Sequence, residues 1–233
     1  MLLGAYLTLP LLFLFLLTVA ALAGADKAKE PLQRLDEATA VFQEIMATPD
    51  RSIPQDLLDK SHCIVIVPGL KKGAFLIGAK YGKGYLSCRN KGQGWSAPGT
   101  VRVEGGSFGF QIGGSESDVI MLVMSGRGAA KLLSSKFTLG GEASVAAGPV
   151  GREATAQTDA AMRAEILSWS RARGVFAGIS LQGATLRQDL DDNGVIYGKK
   201  LANKEIVQSG TAVPQAAQAL IALFNKYSPK SSN

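Results

Sequence analysis

Apolar side chains recur at Leu32, Leu35, Ala38, Phe42, Ile45 and Met46, a stripe with the 3.6-residue period of a helix. The spacing predicts an amphipathic helix from Glu30 to Met46. Its other face mixes signs, with Arg34, Asp36, Glu37 and Glu44. A helix lying on a membrane surface carries Lys and Arg there, so this one reads as packed on a domain core. The stretch "TPDRSIPQDLL" turns the chain. Ser52 with Gln55 has the spacing of a capping box that opens a short helix to Lys60.

From Cys63 the pattern becomes that of strands. "CIVIV" is a β-branched run ended by Pro68-Gly69, and "GAFLIGAKYG", "GYLSCRN", "GWSAPGTVRV", "GSFGFQIGG" and "DVIMLVM" follow, punctuated by Gly and Asn. Such runs predict successive antiparallel strands. Glycines inside them predict bulges, strong curvature or close backbone approach. Helices are predicted again at Gly128 to Ser135 and at Asp159 to Arg173. In the second, Met162, Ile166, Leu167 and Trp169 lie near one side, and Gly174 suits the position just past a helix end. "VFAGISLQGATLRQDL" reads as a hairpin, and a last helix runs from Pro214 to Tyr227. The sum is a single α+β domain: a curved, Gly-rich, barrel-like antiparallel sheet packed by several helices. Residues 26–60 form its N-terminal helical segment, 61–228 its body and 229–233 a frayed tail.

Leu2 to Leu22 are almost wholly apolar and carry no charged side chain, and small residues stand at Ala21, Ala23, Gly24 and Ala25. This is the pattern of a secretory signal peptide over residues 1–25, cleaved after Ala23 or Ala25. The run is also long enough for an uncleaved anchor of ~20 residues. Ala25 stands where a lipoprotein carries its lipidated Cys, so no thioether lipid forms there. The expected location is outside the cytoplasm, periplasmic or secreted, peripheral on a membrane. A pI of about 9.3 and a net charge of +6 suit an anionic partner such as phospholipid, nucleic acid or acidic glycan. Cys63 opens the first strand and Cys88 lies near the end of the hairpin that follows. Export permits a disulfide between them; two buried free thiols acting as small apolar residues are the alternative.

Reactive constellations fail on their spacing. "Gly105-Gly106-Ser107-Phe108-Gly109" matches G-x-S-x-G, but the single histidine, His62, precedes the serine and the flanks read strand to strand. "Gly78-Ala79-Lys80-Tyr81-Gly82-Lys83" is one residue short of a P-loop, with Gly84 in place of the Mg²⁺-binding hydroxyl. "Asp189-Leu190-Asp191-Asp192-Asn193-Gly194" begins like a calcium loop, but Lys200 occupies the place of the bidentate acid, so a turn or helix start is the better reading. Neither CxxC nor HExxH occurs. The expectation is a protein that is not an enzyme and uses no metal or cofactor.

What remains is charge. No acid occurs between Asp59 and Glu104, while Lys60, Lys71, Lys72, Lys80, Lys83, Arg89, Lys91 and Arg102 do. Lysines on strand edges and turns block edge-to-edge aggregation. They also attract anionic headgroups, at ~1 kcal/mol per cation near such a surface. The candidate headgroup site is Lys71, Lys72, Lys80, Lys83, Arg89 and Lys91, carried on turns of the sheet, with Tyr81, Tyr85 and Trp95 among them. Nucleic acid is not expected, because no aromatic stacking platform accompanies these cations.

The segments "CIVIVPGLKKGAFLIGAKYGKGYLSCR", "GWSAP", "GSFGFQIGG", "SSKFTLGGEASVAAGPVGR" and "SRARGVFAGISLQG" together resemble the SYLF domain family, also called a lipid-binding or DUF500-type domain. The resemblance covers Lys60 to the last helix. It implies one domain that binds phospholipid, with phosphoinositides as ligands of eukaryotic members, actin association in fungal ones, and export in bacterial ones. Two departures stand out: the mixed charge of Glu30 to Met46, and Ala25 in place of a lipidated Cys. The expected function is a non-enzymatic, anionic phospholipid-binding domain of the bacterial cell envelope. The alternative is a protein-interaction or structural module with incidental lipid affinity.

Overall fold

The computed structural model describes residues 30–48, 52–75, 77–90, 94–108, 113–151 and 163–229. The predicted amphipathic stripe forms helix α1, residues 30–46, with Leu35, Ala38, Phe42 and Ile45 buried. Helix α2 (Gln55–Lys60) follows. Its N-cap is Pro54 and not the expected Ser52.

Among the described residues, ten strands make one sheet: β1 (Cys63–Phe75), β2 (Ile77–Asn90), β3 (Gly94–Trp95), β4 (Gly99–Phe108), β5 (Gly113–Val123), β6 (Lys136–Thr138), β7 (Val145–Ala147), β8 (Ile166–Ala172), β9 (Val175–Gly178) and β10 (Thr185–Gln188). Their order is β6-β10-β4-β2-β1-β5-β8-β7, with β3 added to β2 and β9 to β8. The eight strands of that path curl into a half-barrel. Pairing is antiparallel except between β7 and β8. The other helices among the described residues are α3 (Gly126–Leu132), α4 (Leu190–Tyr197), α5 (Asn203–Gln208) and α6 (Gln218–Tyr227), the last entered through a 3-10 turn at Gln215–Ala217.

Burial explains the curl. Val65, Leu86, Val101, Met121, Phe137, Val145, Ile166 and Leu186, one from each strand of the path, meet in one apolar cluster that fills the inside. Ile64, Ile66, Tyr85, Ile120, Leu122, Leu167 and Trp169 form a second cluster with α1, α2 and α6 on the outside. Strand β1 thus feeds both, Ile64 and Ile66 outward and Val65 and Val67 inward. That is why it reads as a continuous apolar run instead of an alternation.

The strand does not end at Pro68-Gly69 as expected. It bulges there: the register with β2 shifts between Ile66 and Lys71, and that with β5 between Val67 and Leu70. Gly69 takes a φ of +57°, in the left-handed region. The bulge presses on β2, where a Cβ on Gly84 would lie 2.0 Å from the Ile66 carbonyl oxygen. The expected close backbone approach is therefore real at Gly84, and β2 runs unbroken through it.

Two sequence expectations are corrected. The helix expected at Asp159 to Arg173 is strand β8 from Ile166 onward; residues 159–162 lie outside the described residues. Ile166 faces the inner cluster while Leu167 and Trp169 face the outer one, a period of two that burial on both faces disguised as a helical stripe. Arg173 (φ 49°) and Gly174 (φ 78°) are the two-residue turn from β8 into β9, not a helix end. The hairpin expected in "VFAGISLQGATLRQDL" also does not form. Strand β9 pairs with β8, and β10 with β4 and β6. Residues 179–184 instead bridge the two ends of the curl, the Ile179 amide donating to Ser168 O and the Leu139 amide to Ala184 O.

Cys63 and Cys88 face each other in the β1–β2 register and are joined as a disulfide. Both are buried, at 0% and 5% exposure, so the bridge is shielded from reductant in the folded state. Closing a 25-residue separation stabilises by about 3.5 kcal/mol on the chain-entropy model. The double variant Cys63→Ala/Cys88→Ala should lose up to that amount in urea titration. Denaturing the wild-type chain without reductant should expose no thiol to alkylation; labelling of both cysteines would refute the bridge.

Candidate functional site

After the bulge, Lys71 stands opposite Tyr81 on β2 and Glu116 on β5, and Lys72 opposite Lys80 and Ser115. Neighbours along a strand point to opposite faces. Lys71, Tyr81 and Glu116 therefore share one face, and Lys72 and Lys80 the other. Lys71 is exposed; Lys72 and Lys80 are half-buried. Burial, and then the charge of Lys80, push the Lys72 ammonium below its usual pKa. These lysines lie within paired strands and not on turns, which corrects the expected placement.

Lys83 departs further. It sits in the middle of β2, and its ammonium is 3.0 Å from Asp189 Oδ2 and 2.9 Å from Asp192 Oδ1. Burial lowers its pKa, but the hydrogen bonds and charges of Asp192 and Asp189 outweigh that and raise it overall. Asp192 also accepts from Arg34 Nη1 at 2.8 Å, so one carboxylate links α1, α4 and β2. The loop that resembles a calcium site is thus the start of α4. Asp189 is its N-cap, accepting from the Asp192 amide, and Lys200 pairs with Asp191 at 2.6 Å. Asn193 completes the attachment: its Oδ1 accepts from the Thr100 amide and hydroxyl, and its Nδ2 donates to Leu201 O and Asn203 Oδ1.

Arg89 also works inside the fold. It donates to Ser61 O and Leu58 O, bonds the Ser228 hydroxyl, and lies 4.5 Å from the Trp95 ring centroid. Trp95 Nε1 donates to Ser228 O at 3.0 Å. This clamp ties the ends of α2 and α6 to β2 and β3. Lys91 lies outside the described residues. Of the six candidate cations, the structure brings Lys72 and Lys80 together, leaves Lys71 on the opposite face, and commits Lys83 and Arg89 to internal bonding.

The sequence reading missed a row of cations. Lys83 on β2 stands opposite Arg102 on β4, Arg102 opposite Arg187 on β10, and Arg187 opposite Lys136 on β6. Only strand register assembles this row, so no local sequence signal marks it.

A groove of about 440 Å³ between α1 and the bulge is lined by charges of both signs, including Glu30, Arg34, Glu37, Lys71 and Glu116. No group of three or more His, Cys, Asp or Glu suited to a metal occurs among the described residues. Ser107 lies within β4 and its backbone pairs with Gly78, while His62 adjoins the opposite end of β1.

Residues 104–227, from β4 to α6, match the family model described as "Ysc84: Las17-binding protein actin regulator". The chain belongs to the Ysc84 family. This is the family that the SYLF motifs resemble. The human SH3 domain-containing YSC84-like protein 1 is 30% identical over 210 residues, 90% of this chain and 60% of that protein. The SH3 domain-containing protein PJ696.02 of Schizosaccharomyces pombe is 34% identical over 177 residues, 74% of this chain and 41% of that protein. Protein YSC84 of Saccharomyces cerevisiae is 30% identical over 178 residues, 75% and 38% of the two chains. The chain thus spans between about two fifths and three fifths of these relatives.

Asp192 is the test of the internal network. Asp192→Asn should remove two ion pairs at once and cost about 2 kcal/mol, between the ~1 kcal/mol of an exposed pair and the ~3–5 kcal/mol of a buried one. Lys71→Gln should stay within ~0.5 kcal/mol. Urea midpoints of the two variants check both values; equal midpoints would show that the Asp192 pairs contribute nothing.

Proposed function

We propose that this chain is a non-enzymatic interaction module that binds a protein of the actin-assembly machinery. The observation that carries this reading is the outer face of β4, β10 and β6. It presents Arg102, Glu104, Arg187 and Lys136 at the surface, with Thr185 and Thr138 in line with Glu104 beside the cations. A sheet face that is polar, partly exposed and of mixed sign suits a protein surface. The family description, a Las17-binding actin regulator, supports a partner of that kind. Co-sedimentation tests it: the purified chain should pellet with actin filaments above its own actin-free control. A pelleted fraction equal to that control overturns the actin reading.

One observation favours a second reading, an anionic phospholipid surface. Lys72 and Lys80 stand directly opposite each other. Like charges so placed are destabilising by ~0.2–1 kcal/mol, and a bound anionic headgroup would offset that repulsion. Wild-type protein should co-sediment with phosphatidylserine vesicles and not with neutral phosphatidylcholine vesicles. Lys72→Gln/Lys80→Gln should weaken that binding while leaving the thermal midpoint unchanged or higher. Equal binding to both vesicle types, or to neither, ends this second reading.

A further inference from the structure

We propose that Arg102, Arg187 and Lys136 form the seat for an acidic segment of the protein partner. The inference rests on the interaction-module reading and gives its interface a location and a chemistry.

Strand pairing places the three cations on adjacent strands, so successive ones are about 4.8 Å apart across the sheet. Directly opposed like charges are unfavourable, and the local acids do not balance them. Asp192 serves Arg34 and Lys83; Asp191 serves Lys200; Asp189 is 3.0 Å from Lys83 and only 3.6 Å from Arg102. Glu104 is left between the two arginines, 3.8 Å from Arg102 Nε and 3.2 Å from Arg187 Nε. Both Nε atoms are buried and make no hydrogen bond. Lys136 is exposed and has no ion pair among the described residues.

The two arginine side chains remain 38% and 42% exposed, and no hydrogen bond from either is made among the described residues. A guanidinium is a planar fork matched to carboxylate geometry, unlike the point charge of a lysine. Glu104 lies between the two forks as an ion pair without a hydrogen bond to either, which leaves their bonding capacity to a partner's carboxylates. The presence of that acid inside the row also favours a peptide over a bilayer. A uniformly anionic surface would be repelled by Glu104, whereas a peptide can place its acids on either side of it. Thr138 and Thr185, opposite each other in register beside the row, offer hydroxyls for backbone contacts.

The test uses the full chain and a fluorescein-labelled hexaglutamate peptide, read by fluorescence anisotropy. Wild-type protein should bind, and more weakly as salt rises. Arg187→Gln/Lys136→Gln should weaken binding about tenfold, the size expected for losing two partly exposed charge contacts. Arg187→Lys keeps the charge and loses the fork, so its affinity should fall between those two. Lys60→Gln/Lys226→Gln removes the same charge from the surfaces of α2 and α6 and should bind as wild type does. Urea midpoints establish that each variant is folded. Failure of the wild-type chain to bind overturns the proposal, as does equal weakening by the two double variants. Loss of phosphatidylserine-vesicle binding in Arg187→Gln/Lys136→Gln with peptide binding unchanged would assign the row to a bilayer and overturn it too. Actin co-sedimentation of the wild-type chain separates this result from the broader one. A chain that binds the peptide but not filaments keeps the acidic seat and loses the actin reading.

Discussion

Strand β1 is apolar on both faces, and the rest of the structure answers that constraint. Ile64 and Ile66 on one side and Val65 and Val67 on the other cannot be covered by a single layer. The sheet curls to enclose one side, and α1, α2 and α6 cover the other. At ~1.5–3 kcal/mol for each large side chain fully buried, these two covers carry the main favourable energy of the fold. The bulge at Pro68 and Gly69 is where this strand changes from core to surface. Before it both faces are buried, and after it come Lys71 and Lys72. Gly84 is the matching feature on β2, since a side chain there would collide with the Ile66 carbonyl.

The charged groups follow the same geometry. Where α4 meets the sheet, Asp189 and Asp192 are buried and must be paired, and Lys83 and Arg34 pair them. Lys83 is therefore occupied by the fold, although in the sequence it looks like its neighbours Lys80 and Lys71. Arg102, next along the row, is half-exposed and only loosely held. The difference between a structural cation and an available one is set by distance from the buried end of α4.

The sequence exposed much of this and hid the rest for definable reasons. Helix α1 was legible because one of its faces meets solvent and the other the core, which leaves a clean stripe. The sheet and its curl were legible from β-branched runs and from glycines inside strands. Strand β8 was not, because Ile166, Leu167 and Trp169 are all buried and a strand covered on both sides loses its alternation. Bridging of the two ends of the curl by residues 179–184 was hidden too, since a hairpin and a crossing segment share the same turn residues. At the candidate site, the acid-free stretch located the cations but not their partners. Asp189 and Asp192 lie far along the chain from Lys83, and nothing local to "YGKGY" announces them. The family assignment reached further than periodicity did, because it rests on several ordered motifs and not on one.

Charge density along a chain is not charge density on a surface. Lys71 and Lys72 are adjacent in sequence, yet the pleat sends them to opposite faces, where one meets Tyr81 and Glu116 and the other Lys80. The apparent single patch between Asp59 and Glu104 is thereby divided among two faces of the sheet, the α4 contact and the Arg89 clamp. Conversely, Arg102, Arg187 and Lys136 belong to three separate stretches, each unremarkable, and register makes them neighbours. Pairing in a sheet disperses local runs and assembles distant residues. For a module whose partners are recognised by charge, the strand register is the element that decides which partner fits, and a one-residue slip of β10 would turn Arg187 inward and bring Leu186 out.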